Sequence, residues 1–235
     1  MTVAPRSAMV LAAGLGTRLR PVTETVPKPL IEINGRALID LAIDHLILAG
    51  VQCVVVNIHY KAELVRAHLA LRAHPRVAFS EEDELLDTGG AVAQALPLLD
   101  ETFFAVNADV IWLDNTRPAL FRLADAFDPA GSDAVLLLHP TATAVGYEGS
   151  GDYHLGALGK PRRRREGDVV APYLFAGIQL LHRRLFANPP GRIFSLVRLF
   201  DRAETAGRLR AVVHDGELFH VGTPQGLAAT RKRVV

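Results

Sequence analysis

Residues 8–13 (AMVLAA) form an unbroken apolar run that stops at Gly14, the pattern of a strand buried on both faces of a parallel sheet. Over 37–49 the chain changes period. Leu38, Leu41, Ala42, His45, Leu46 and Ala49 recur at spacings of three and four with Gly50 as a stop, which predicts a helix with one buried side. Residues 51–58 (VQCVVVNI) return to β-branched, continuous apolar character. The opening therefore reads strand, glycine loop, helix, strand, the crossover that parallel pairing requires. The alternation continues with a helix over 61–73, a strand over 77–80, a helix opening near Thr88, a strand over 103–107, a helix over 116–127 and a strand over 134–139. The strand 103–107 (FFAVN) turns polar at its end and would deliver Asn107 and Asp109 to the carboxyl edge of the sheet, where open α/β sheets bind ligands.

Past Pro140 the pattern changes. Gly146, Gly149, Gly151, Gly156 and Gly159 break short alternating stretches and predict a small antiparallel insertion. A buried strand over 173–181, a helix over 194–206, strand pieces over 209–214 and 217–221 and a helix from Thr223 complete the chain, with no internal repeat. The expected fold is a single α/β domain over 1–235, a three-layer, Rossmann-like sandwich with a mixed, largely parallel sheet between helices.

Composition narrows the function. With 235 residues, 49% hydrophobic and 22% charged, the chain is globular, and a net charge of +1 argues against a dedicated nucleic-acid partner. Cys53 is the only cysteine, so an intrachain disulfide is excluded and a reducing, cytoplasmic setting is expected. The N-terminal apolar stretch is too short for a signal sequence or a membrane span, so no membrane association is expected. A monomer acting on small molecules is the simplest expectation.

The most informative stretch is 11–28, LAAGLGTRLRPVTETVPK. Gly14 and Gly16 lack a Cβ and let backbone amides approach a phosphate closely, while Arg18 offers a planar fork of donors for a polyphosphate. Lys28 stands between two prolines ten residues on. The loop lacks the Gly-Lys-Ser/Thr ending of a P-loop, and Leu19 stands where a dinucleotide fingerprint needs its third glycine. Other residues are ambiguous by type alone. By spacing alone Asp109 reads first as a strand-end turn cap, Glu81 to Glu84 as a solvated surface run, Cys53 as a small buried hydrophobe, and Arg162 to Arg165, just past Lys160, as an exposed hairpin tip.

Six segments together resemble the sugar-1-phosphate nucleotidyltransferase family. They are LAAGLGTRLRPVT at 11–23, PKPL at 27–30, DTGG at 87–90, NAD at 107–109, GSGDY at 149–153 and VGTP at 221–224. The resemblance implies attack of a sugar-1-phosphate oxygen on the α-phosphorus of a nucleoside triphosphate, giving a nucleotide sugar and pyrophosphate without a covalent enzyme intermediate. UTP and N-acetylmuramate 1-phosphate are the expected pair. Guanylyl, thymidylyl or cytidylyl transfer to mannose 1-phosphate, glucose 1-phosphate or another alcohol phosphate stays open, as does a non-catalytic nucleotide-sugar-binding regulator. By the same resemblance, 1–140 is the nucleotide-binding half and 141–235 the sugar-binding half. Ala13, Gly14, Gly16, Thr17, Arg18, Lys28 and Gly89 would bind the nucleotide, and Asn107, Asp152 and Gly177 the sugar, with Gly177 leaving space for the ring. Arg18, Lys28 and Asp109 would carry catalysis by positioning and charge neutralisation. Asp109 would ligate Mg²⁺. The family's second metal carboxylate precedes the VGT segment, where this chain has His220. An imidazole in that place suits a softer ion better, so Mn²⁺ is the alternative metal.

Overall fold

The computed structural model describes residues 4–156 and 159–234. β1 (Ser7–Leu11) lies at the centre, paired in parallel with β4 (Cys53–Ile58) on one side and β6 (Thr102–Asn107) on the other. β5 (Arg76–Glu81) extends the sheet in parallel beyond β4. On the far side the long β11 (Tyr173–His182) runs antiparallel to both β6 and β8 (Ala134–Pro140), and β12 (Leu209–Val213) closes that edge in parallel with β8. The hairpin β9 (Tyr153–Leu155) and β10 (Pro161–Arg163) joins the start of β11. The sheet is thus mixed and largely parallel. Because β11 is inserted between β6 and β8, residues on both sides of position 140 build one sheet.

Two helical layers cover it. α2 (Leu38–Leu48), α3 (Ala62–Leu69) and α5 (Ala119–Ala126) pack on one face against Val10, Val54, Val56, Phe104 and Val106. α4 (Asp87–Ala95) and α6 (Val197–Thr205) pack on the other against Met9, Val55, Phe103, Ala105 and Leu136. Each central strand is apolar throughout because both of its faces are covered. α2 buries a wider stripe than its three-and-four spacing suggests: Ile39 and Ile43 are fully buried, whereas Leu41 and His45 are half-buried.

Three short elements do not follow from the sequence pattern. α1 (Val22–Thr25) and the hairpin of β2 (Glu32–Ile33) with β3 (Arg36–Ala37) fill the connection after the glycine loop. β7 (Val110–Leu113) starts directly after Asp109 and pairs antiparallel with β13 (Glu217–His220), setting His220 opposite Val110. With α7 (Pro224–Arg233), these pieces enclose a third apolar cluster that includes Leu19, Ile31, Ile33, Ile111, Phe219 and Val221.

Candidate active site

The parallel register brings the carboxyl ends of three strands level, with Leu11 of β1 opposite Asn57 of β4 and opposite Asn107 of β6. The chain leaves β1 between these two asparagines. There it opens a cavity of about 420 Å³ lined by Ala12, Ala13, Gly14, Lys28, Asn57, Glu82, Leu85, Asp87, Thr88, Asn107 and Asp109, among others.

Lys28 and Asp109 meet on one wall of this cavity in an ion pair that joins the segment after the glycine loop to the end of β6. Both side chains are shielded, Lys28 at 12% and Asp109 at 27% exposure, so the pair is stronger than a surface one. His220 is half-buried nearby, placed by the β7–β13 register. Burial pushes its imidazole below its ordinary value; the Asp109 carboxylate opposes that shift and the Lys28 and Arg18 cations reinforce it.

The remaining residues expected in the nucleotide site divide. Ala13 and Gly14 line the cavity, and a side-chain carbon added at Gly14 would meet open space. Gly16, Thr17 and Arg18 are outside the lining, with Thr17 and Arg18 exposed. Gly16 has a backbone reason: its φ is +63°, and its carbonyl accepts the Thr23 hydroxyl at 2.9 Å.

Gly89 is a correction. It is buried away from the cavity, its N–H donates to the Phe194 carbonyl at 2.8 Å, and a Cβ there would strike the Phe194 ring. Gly90 likewise lies against the Arg192 carbonyl. These glycines admit the segment 192–194, not a base. Gly177 is also corrected. The space above it is filled by the Asn107 side chain, whose Nδ2 would lie 2.5 Å from an added Cβ, so it seats Asn107 rather than a sugar ring. Asp152 lies outside the main cavity, where its Oδ2 accepts the Phe175 N–H at 2.8 Å and it lines a separate, smaller pocket. Asn107 lines the main cavity.

Two further expectations fail. Glu82 belongs to no solvated run: it is 4% exposed, and its two oxygens accept Asn57 Nδ2 at 2.6 Å and the Leu86 N–H at 2.9 Å. Asn57 in turn accepts the Ala12 N–H at 2.7 Å through Oδ1. One buried relay therefore fixes the glycine loop, the end of β4 and the entry to α4 relative to one another. The sequence carried one signal for Asn57, a polar residue ending an apolar strand as Asn107 does. The arginines 162–164 are not an exposed tip either, since all three are half-buried and hydrogen-bonded, and only Arg165 is exposed.

Comparison with known proteins completes the picture. A family model described as nucleotidyl transferase matches residues 7–147. The chain belongs to that family. An N-acetylmuramate alpha-1-phosphate uridylyltransferase of Caulobacter vibrioides is 41% identical over 240 residues, covering 100% of this chain and 99% of the relative. A mannose-1-phosphate guanyltransferase of Hypocrea jecorina is 39% identical over 109 residues, 44% of this chain and 30% of that protein. Among solved structures, HddC from Yersinia pseudotuberculosis complexed with GMP-PN superposes with a TM-score of 0.79 at 23% identity, covering 98% of this chain and 100% of that one. A UDP-glucose pyrophosphorylase complexed with UDP-glucose gives 0.80 at 17% identity and 98% of both chains. These two likenesses show the shared fold. The nucleotidyl transferase is an enzyme of the sugar-1-phosphate class, and its cavity lies at the carboxyl edge of the parallel strands. No helix among the described residues is long and apolar enough to cross a membrane.

Proposed function

We propose that this enzyme transfers the uridylyl group of UTP to N-acetylmuramate 1-phosphate and releases pyrophosphate. The full-length 41% identity to the Caulobacter vibrioides uridylyltransferase carries the choice of substrates. A phosphate oxygen of the acceptor forms a bond to the α-phosphorus, and the bond from that phosphorus to the α–β bridging oxygen breaks, with the bridging oxygen leaving in pyrophosphate. The acceptor is already anionic, so no side chain need act as nucleophile. The protein's share is alignment and neutralisation of charge.

Lys28 supplies a shielded ammonium for the α-phosphate, held in place by Asp109 before substrate arrives. Arg18, exposed on the glycine loop, would swing onto the departing pyrophosphate, and the amides of the cavity-lining Ala13 and Gly14 would hold the phosphates. Asn107, wedged over Gly177 on the cavity wall, would orient the acceptor.

Asp109 and His220 offer one carboxylate and one imidazole that burial holds toward its neutral, ligating form. Among the described residues no third His, Cys, Asp or Glu joins them. Such a donor set suits a divalent ion completed by substrate phosphates and water, Mg²⁺ or Mn²⁺, rather than a resident caged metal. Asp109 and His220 would hold such an ion, which would supply further neutralisation of phosphate charge. His220→Asp adds a hard carboxylate, so it is expected to lower the Mg²⁺ concentration for half-maximal activity and reduce any preference for Mn²⁺. Unchanged metal titrations would remove His220 from the metal site.

The deciding assay is pyrophosphate release from UTP, dTTP, GTP, CTP and ATP against the 1-phosphates of N-acetylmuramate, N-acetylglucosamine, glucose and mannose. Turnover with UTP and N-acetylmuramate 1-phosphate, lost in Asp109→Ala by at least about 100-fold, is the expected result. Turnover only with another pair would overturn the substrates and keep the chemistry.

A further inference from the structure

Four arginines in a row, Arg162 to Arg165, follow the turn of the β9–β10 hairpin, and three of them meet carboxylates. Arg162 pairs with Asp168 at 2.9 Å, Arg163 grips Asp201 through two parallel hydrogen bonds of 2.5 and 2.8 Å, and Arg165 approaches Glu204 at 3.8 Å. Arg164 differs from its neighbours. Its Nε donates to the Gly151 carbonyl at 2.9 Å and its Nη1 to the Asp168 carbonyl at 3.3 Å, and among the described residues no carboxylate forms an ion pair with it. A guanidinium has five N–H donors. Held by two neutral carbonyls, that of Arg164 keeps its charge and its remaining N–H donors for a ligand.

Arg164 lines a pocket of about 140 Å³ with Asp152, Phe175 and Val197. Asp152 already has one oxygen on the Phe175 N–H. The pocket is bound to the main cavity by three links. Val197 follows Leu196, whose N–H donates to the hydroxyl of cavity-lining Thr88 at 3.0 Å. Phe175 stands two residues before Gly177, which seats cavity-lining Asn107. Burial and the Asp152 charge push the Tyr147 hydroxyl up and the Arg164 charge opposes them, while its ring stands edge-on 6.0 Å from that of His220. The pocket of Arg164 thus adjoins the part of the cavity wall that β11 and the start of α6 support.

We propose that Arg164 binds an anionic substituent, a carboxylate, on the acceptor sugar, and so selects acceptors that carry one. The inference rests on the acceptor reading above, because N-acetylmuramate bears a lactyl carboxylate that N-acetylglucosamine lacks. A planar guanidinium in a half-buried pocket matches a carboxylate by two parallel hydrogen bonds.

The test compares N-acetylmuramate 1-phosphate with N-acetylglucosamine 1-phosphate, each with UTP, in the native enzyme, Arg164→Met and Arg164→Lys. The native enzyme is expected to prefer the carboxylate-bearing acceptor. Arg164→Met should lower kcat/KM for it by about 10- to 100-fold, through KM, and change the neutral acceptor by less than about twofold. Arg164→Lys, which keeps the charge but loses the fork, should recover part of the loss. Equal losses on both acceptors would assign Arg164 to bracing the hairpin and overturn the proposal, as would no loss or no native preference, while turnover of N-acetylmuramate 1-phosphate would still uphold the acceptor reading. If that acceptor is not used at all, the acceptor reading falls by itself. Arg164 is then judged on glucuronate 1-phosphate against glucose 1-phosphate, where a native preference for the anion that Arg164→Met erases sustains the proposal and its absence ends it.

Discussion

Asn57 is the residue on which the geometry of the glycine loop depends most directly. It accepts from Ala12 and donates to Glu82, which itself holds the amide of Leu86, so a single amide joins three segments of the cavity wall. Asn57→Ala leaves the buried Glu82 carboxylate and the Ala12 N–H without this partner. A loss of about 2–4 kcal/mol in unfolding free energy is expected, together with a raised KM for the nucleotide. Urea unfolding and nucleotide titration check the two effects; a stable variant with native KM would show that the relay does not set the loop. The sequence hid Glu82 because it sits in SEEDE, and charge in a run is ordinarily solvated. Its neighbours Glu81, Asp83 and Glu84 do face solvent, and only the end of β5 turns this one inward.

At the scale of elements, the segment 192–196 is a strap across the entry to α4. Its Phe194 carbonyl accepts the Gly89 and Gly90 N–H groups at 2.8 and 3.1 Å, the Phe194 N–H donates to the Leu86 carbonyl, and Arg192 pairs with Glu84. The Gly89 and Gly90 amides of the first helical turn are thus already taken by backbone, which is why DTGG needs its glycines. Gly90→Ala drives a Cβ into the Arg192 carbonyl. It is expected to cost about 1–3 kcal/mol and to displace the strap, seen as a lower unfolding midpoint and faster proteolysis within 187–196. A native midpoint would mean that the strap yields without cost. The β7–β13 ribbon is the second such case, since two four-residue strands some hundred positions apart become partners only once the sheet has folded, and it is this pairing that brings His220 beside Asp109.

For the molecule as a whole, the carboxyl edge of the sheet that supports the site also carries a pH-dependent load. His139 is the last residue but one of β8 and His214 follows β12, both buried, with ring centroids 5.7 Å apart. Burial, reinforced by His214, pushes His139 from 6.5 to about 4, and burial also lowers His214. Between these values the unfolded chain binds protons that the folded chain refuses. Stability is therefore full above about pH 6.5 and falls as the pH drops toward 4. Thermal unfolding across that window should show a declining midpoint, and His139→Gln should flatten the decline; an unaltered slope in the variant would place the acid sensitivity elsewhere.

The sequence by itself determined the period of nearly every major element and the order of strands and helices around the glycine loop, and it singled out Lys28, Asp109 and Asn107, which the fold brings to the wall of one cavity. Those features are local: continuous apolar runs, three-and-four spacing, glycine stops and short motifs specify them without reference to distant chain. Only the tertiary structure decided which side chains the cavity uses and which it hides. Gly89 and Gly177 serve packing against Phe194 and Asn107, Glu82 is drawn inside by Asn57, and three of the four arginines are satisfied by carboxylates while Arg164 is not. Apart from Arg162 and Asp168, six residues apart, each of these depends on a partner between 25 and 105 residues away in the chain, and residue type cannot reveal which of many polar groups will find its counterpart when the layers close.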